Sequence, residues 1–112
     1  LAFTFKFGCT HIDTNNWVVD FGSLKKLKEW LKDKFDHTLI IDKKDPSKDF
    51  LTTLQSKDLA QIVVFDGVGV EKFAEHAFIY ADALIRKETK DRCFVVKVTC
   101  SEHEANSATY EI

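Results

Sequence analysis

Leu1, Phe3, Phe5 and Phe7 alternate with Ala2, Thr4 and Lys6. A period of two is that of a strand with one face packed, so residues 1–7 are predicted as a strand with an aromatic face. Residues 8–16 are polar and predict a loop, followed by a short extended piece at Trp17, Val18 and Val19. Asp20 has the carboxylate an N-cap needs. Leu24, Leu27, Leu31 and Phe35 then recur at helical spacing with Trp30 beside them, predicting a helix over 21–35 whose apolar stripe lies against a sheet.

Residues 42–57 are polar and hold the only proline, Pro46. A short helix over 49–55 is predicted there, with Phe50, Leu51 and Leu54 turned inward. The apolar run 62–65, bounded by Asp66 and Gly67, predicts a strand. Phe73, Ala77, Tyr80, Ala81 and Leu84 form one face of a second long helix over 70–87. Alternation returns over 93–100, with Phe94, Val96, Val98 and Cys100 expected on one side and Val95, Lys97 and Thr99 on the other. Residues 108–112 predict a last short strand. The order strand, helix, strand, helix, strand, strand points to an α+β domain with helices packed on one sheet face.

Length and composition narrow the class. A length of 112 residues allows one domain, and 45% hydrophobic content with ten Phe excludes a disordered chain. No apolar run approaches the ~18 residues of a membrane span, and no signal peptide opens the chain, so no membrane partner is expected. The net charge of −2 argues against a nucleic-acid partner. Lys25, Lys26, Lys28, Lys32 and Lys34 alternate with Glu29 and Asp33 and read as a solvated helix face. Three cysteines, Cys9, Cys93 and Cys100, suit reduced thiols in a cytoplasm better than a disulfide framework. Cys100 and His103 have C-x-x-H spacing, but with no second pair beside them they do not make a four-ligand zinc site.

Three places carry candidate chemistry. Asp36 directly precedes His37 after the first helix, and a histidine beside a carboxylate can exchange protons near neutrality. From adjacency alone, such a pair after a helix is more often a capping or solvent-exposed pair. Glu102 lies in a polar segment, 101–107, between two apolar strands, and a carboxylate at a strand end can accept two N–H donors from a guanidine-like ring edge. Its plain alternative is a solvated loop. Asp66-Gly67-Val68-Gly69-Val70 leads into the second long helix, where backbone N–H groups can meet an anion. It lacks the spacing of the known phosphate loops, so a turn with glycines at positive φ is the better reading.

In order along the chain, these segments resemble the 6-pyruvoyl-tetrahydropterin synthase family, which includes the 6-carboxytetrahydropterin synthases of queuosine biosynthesis. Trp17-Val18-Val19-Asp20-Phe21-Gly22-Ser23-Leu24-Lys25 is similar to its G-x-[VI]-x-D-F-x-x-L-K. Phe35-Asp36-His37-Thr38-Leu39 is similar to L-D-H-x-x-L. Val70-Glu71-Lys72-Phe73-Ala74 is similar to the end of P-T-x-E-x-[LV]-A. Glu102 and Tyr110 match a last motif, a glutamate eight residues before a tyrosine.

The resemblance implies the tunnelling fold, an antiparallel four-stranded sheet with two helices on one face, in homo-oligomers that are trimers or hexamers. It implies a zinc-dependent carbon–oxygen lyase acting on 7,8-dihydroneopterin triphosphate. Asp36 and His37 would be the proton-relay pair and Glu102 the anchor of the pterin ring. The family's three metal histidines and its cysteine would lie before Leu1, together with the first strand. The 112 residues are therefore expected to hold no zinc at the family site and to be inactive as they stand. Val68-Gly69-Val70 also replaces the family's threonine-bearing turn. The alternative is a non-catalytic pterin- or purine-binding module of the same fold. The strand over 1–7, lacking its neighbour, is expected to offer an edge to another chain.

Overall fold

The computed structural model of the chain describes residues 1–15, 18–19, 21–36, 38–56, 61–102 and 106–112. The elements run β1 (Ala2–Cys9), α1 (Phe21–Phe35), β2 (Thr38–Asp42), α2 (Lys48–Ser56), β3 (Gln61–Phe65), α3 (Val70–Thr89), β4 (Cys93–Glu102) and β5 (Asn106–Glu111). β1, β4 and β5 form an antiparallel sheet in the order β1-β4-β5, and β2 and β3 form a separate parallel pair. Both long helices lie where the apolar periodicity put them. Asp20, the expected cap of α1, lies outside the described residues, as does Trp17. Val18 and Val19 form a bend rather than an extended piece, while Gly8 and Cys9 extend β1 beyond the expected loop boundary.

The helices cover one face of the sheet. Leu27 of α1, Ala77, Phe78 and Ala81 of α3, and Val95 and Val98 of β4 form the core, with Phe3, Phe5, Phe7, Trp30, Leu31, Tyr80 and Leu84 packed around it. Trp30 stacks on Tyr80 with ring centroids 4.3 Å apart and planes 8° from parallel, tying α1 to α3. Alanines at 74, 77 and 81 have no exposed surface, which lets α3 sit close to the sheet.

The faces of β4 differ from simple alternation. Lys6 stands opposite Lys97, but Phe7 stands opposite Val95, so Val96 is an extra residue in β4. Such a bulge shifts the side-chain phase by one. Cys93 and Val95 therefore share the buried face with Val98 and Cys100, and Phe94 and Val96 leave it. The bulge lets every aromatic residue of β1, which alternates without interruption, keep facing the helices.

β2 was not expected. Its run Leu39-Ile40-Ile41 has no alternation, and it becomes a strand by pairing in parallel with β3 through the α2 crossover. The pair is anchored by aromatic contacts: Phe35 of α1 lies 5.6 Å from Phe65 of β3 and 5.2 Å from Phe73 of α3, ring centre to ring centre. Phe35 also reaches Phe3 at 4.8 Å. α2 forms as expected, but Phe50 is 70% exposed rather than turned inward. No helix among the described residues is long and apolar enough to cross a membrane.

Candidate functional site at the open end of the sheet

Ala2 stands opposite Ser101 in the antiparallel β1–β4 ladder. That register brings Leu1 and Glu102 to the same end of the sheet. A cleft of about 420 Å³ opens there, lined by Leu1, Phe3, Lys28, Leu31, Lys32, Phe35 and Asp36. The strand contributes Leu1 and Phe3, and the last turns of α1 contribute the rest.

Three polar residues of that wall, Lys28, Lys32 and Asp36, follow at intervals of four, which places them on one stripe of α1. Lys28 and Lys32 were read from the sequence as part of a solvated face. They are exposed, but they are exposed into the cleft. Their spacing relative to Asp36 was the available signal. Asp36 ends the helix, with its backbone N–H donating to the Lys32 carbonyl at 3.0 Å. His37 lies outside the described residues.

Glu102 is the last residue of β4 and is exposed. Asn106, its partner across the β4–β5 hairpin, donates from Nδ2 to Glu102 Oε2 at 3.5 Å. Among the described residues, that contact leaves most of the acceptor capacity of its carboxylate open. Beside it lies Cys100, packed with Val70 and Ala74 at the start of α3. Burial pushes the Cys100 thiol up to about 11; the Leu1 ammonium opposes this, and Glu102 and Glu71 add to it. The β1–β4 register and the packing of Val70 on Cys100 bring Leu1, Glu71 and Glu102 to one end of the sheet.

The glycine turn behaves as a turn. Gly67 and Gly69 have φ of 94° and 116°, a region that L side chains rarely adopt. Gly69 precedes α3 without a side-chain cap, and its carbonyl accepts from the Phe73 N–H at 2.9 Å.

The described histidines do not meet. His11 contacts Thr10 Oγ1 at 3.0 Å in the segment after β1, and His76 stacks on Phe65 and contacts the Asp66 carbonyl at 3.3 Å. Among the described residues no group of three or more His, Cys, Asp or Glu side chains could hold a metal ion.

An antiparallel sheet with helices on one face, and a cationic, part-aromatic cleft at its end, define an α+β domain. The sequence matches the 6-pyruvoyl tetrahydropterin synthase family over residues 1–112, and the protein belongs to that family. The fold is similar to the crystal structure of the uncharacterized protein WS1659 from Wolinella succinogenes, with a TM-score of 0.79 at 18% identity, covering 97% of this chain and 74% of that one. No curated protein matches the sequence.

Proposed function

We propose that the chain recognises a pterin at the open end of its sheet, with 7,8-dihydroneopterin triphosphate as the ligand its family chemistry addresses. The observation that carries this reading is the shared location of the cleft and Glu102 on either side of the β1–β4 end. The Glu102 carboxylate accepts two N–H groups from the ring edge. Phe3, Leu31 and Phe35 offer apolar surface to a flat ring, and Lys28 and Lys32 suit an anionic tail.

In the family reaction the triphosphate leaves and the side chain is rearranged or cleaved, a carbon–oxygen lyase step. In this chain Asp36 and His37 are the candidate proton relay, the carboxylate fixing the imidazole tautomer while the ring gives and takes the proton. The family uses zinc. We assign the chain ligand binding without turnover, which is also the behaviour of a non-catalytic pterin- or purine-binding module. The free thiols suit a cytoplasmic setting. β1 and β5 are the edges of the three-stranded sheet, and edge pairing supports a homo-oligomer, a trimer or hexamer.

The test pairs calorimetry with a triphosphate-release assay on the purified chain, with and without added zinc. Binding of 7,8-dihydroneopterin and its weakening in Glu102→Ala are expected, without release of triphosphate from 7,8-dihydroneopterin triphosphate. Turnover above background establishes the lyase and removes the binding-module reading, and its pterin product then separates the 6-pyruvoyl from the 6-carboxy (queuosine-type) activity. No pterin binding overturns the proposal. Light scattering that shows only monomer removes the oligomer.

A further inference from the structure

At the opposite end of the same ladder, Cys9 of β1 stands directly across from Cys93 of β4. Phe7 pairs with Val95 just before, so both cysteines continue the helix-facing side of the two strands. The Thr10 N–H donates to the Arg92 carbonyl at 2.9 Å. That bond makes Thr10 and Arg92 a hydrogen-bonded pair, and pairs alternate along an antiparallel ladder. Cys9 and Cys93 are therefore a non-hydrogen-bonded pair, whose Cα atoms lie about 4.5 Å apart with side chains at their closest. A disulfide requires Cα atoms roughly 4.4–6.8 Å apart and Cβ atoms near 4 Å. A pair of this type meets the first condition, and the shared face brings the two Cβ atoms towards the second.

We propose that Cys9 and Cys93 are a reversible oxidation site that closes to a cross-strand disulfide. Both are free thiols in this structure. Cys9 is half-buried and within reach of a small reagent, and Cys93 is fully buried behind it. The oxidant is a low-molecular-weight disulfide. The Cys9 thiolate attacks one of its sulfurs and expels one thiol. Cys93, after losing its proton, attacks the Cys9 sulfur of the mixed disulfide and expels the second. Two protein thiols are oxidised, one reagent disulfide is reduced to two thiols, and two protons pass to solvent and the leaving thiolates.

Closure changes one further contact. In the reduced chain the Cys93 thiol donates to the Val18 carbonyl at 2.6 Å, and Arg92 Nη2 donates to the same oxygen at 2.9 Å. Arg92 Nη1 also holds the His11 carbonyl at 2.8 Å. Oxidation removes the thiol donor and leaves Val18 to Arg92. The bridge thus acts on the segment that leads from β1 towards α1, away from the cleft. Burial raises the Cys93 thiol above its ordinary value, so the second step is the slow one and quickens with pH.

The experiment equilibrates the purified chain in glutathione buffers of graded ratio, quenches it in urea with a thiol-alkylating reagent so that the buried thiols are reached, and reads intact mass and peptide map. The expected product has lost two hydrogens, keeps Cys100 alkylated, and carries a Cys9–Cys93 cross-linked peptide. Its thermal midpoint is higher than that of the reduced chain by on the order of 10 °C. Cys9→Ser abolishes the product, and Cys100→Ser leaves it in place. Cys9 is only half-buried, so its replacement keeps the test open if Cys93→Ser fails to fold. A stable glutathione adduct on Cys9 with Cys93 still free, or three alkylated thiols in fully oxidised buffer, overturns the proposal.

Discussion

Asp82 of α3 accepts the backbone N–H of Val95 through Oδ1 at 2.9 Å, at the position where the bulge takes β4 out of step with β1. The second oxygen of the same carboxylate accepts from Arg86 Nε at 3.0 Å. A bulge leaves ladder groups without their usual partner, and a buried N–H left in that state costs about 1–3 kcal/mol. Val95 is 1% exposed, so water cannot substitute. Asp82→Ala is expected to destabilise the fold by roughly 1–3 kcal/mol, and Asp82→Asn by less, because the amide oxygen still accepts. Urea unfolding of the two variants against the parent measures both. Equal losses would show that the Arg86 pair, not the Val95 bond, carries the effect.

Gly8 is enforced by its neighbour across the sheet. A Cβ there would stand 2.7 Å from Phe94 Cε2 and 3.1 Å from Val96 Cγ2. The Arg86 guanidinium also lies 5.4 Å from the Phe94 ring centre, which limits how far the ring can retreat. Gly8→Ala is expected to cost roughly 1–3 kcal/mol by overpacking. Combined with Phe94→Ala it should cost much less than the sum of the two. A double-mutant cycle in thermal unfolding reads that coupling, and strict additivity would contradict it.

What the sequence disclosed follows from the range of each interaction. α1 and α3 were legible because Leu24, Leu27 and Leu31, and Ala77, Tyr80, Ala81 and Leu84, encode the burial face locally. The phase of β4 was not, because the bulge at Val96 exists only relative to β1, at the other end of the chain. β2 was missed because three consecutive apolar residues carry no period, and only the partner strand β3 defines them. Phe50 belonged to an apolar pattern yet stays exposed, since pattern fixes a face but not what covers it. At the site, Asp36 and Glu102 drew attention by chemistry. Lys28 and Lys32 were hidden by mixed charge, and only the approach of Leu1 and Phe3 turns that stripe of α1 into a wall.

Glu102 and the lysine wall of the cleft should separate by ligand. Glu102→Ala is expected to weaken 7,8-dihydroneopterin binding about 10- to 100-fold, the loss of charged hydrogen bonds worth ~1.5–3 kcal/mol. Lys28→Ala with Lys32→Ala should leave that ligand within about twofold but weaken the triphosphate by at least about tenfold, with a shallower salt dependence. Calorimetry with both ligands at two ionic strengths makes the comparison. Equal losses for the two ligands in the lysine double variant would mean the stripe does not meet the anionic tail.

Cys100 makes stability fall in alkaline solution. It has no exposed surface, and burial holds its thiol at about 11 against an ordinary 9.0. In the folded chain the proton is kept through the interval from pH 9 to 11, whereas the unfolded chain releases it. The unfolded state then binds fewer protons, so unfolding becomes easier as pH rises. The stabilising contribution is fully present below pH 9 and is gone once pH passes about 11. Cys93, also raised by burial, acts in the same direction. Urea midpoints across this interval, measured under reductant to keep the Cys9–Cys93 pair open, should fall more steeply in the parent than in Cys100→Ala. That variant loses packing against Val70 and Ala74 at every pH, so the slope and not the midpoint is the diagnostic quantity. Parallel slopes would show that the Cys100 thiol reaches solvent through local opening near Leu1 and titrates at its ordinary value.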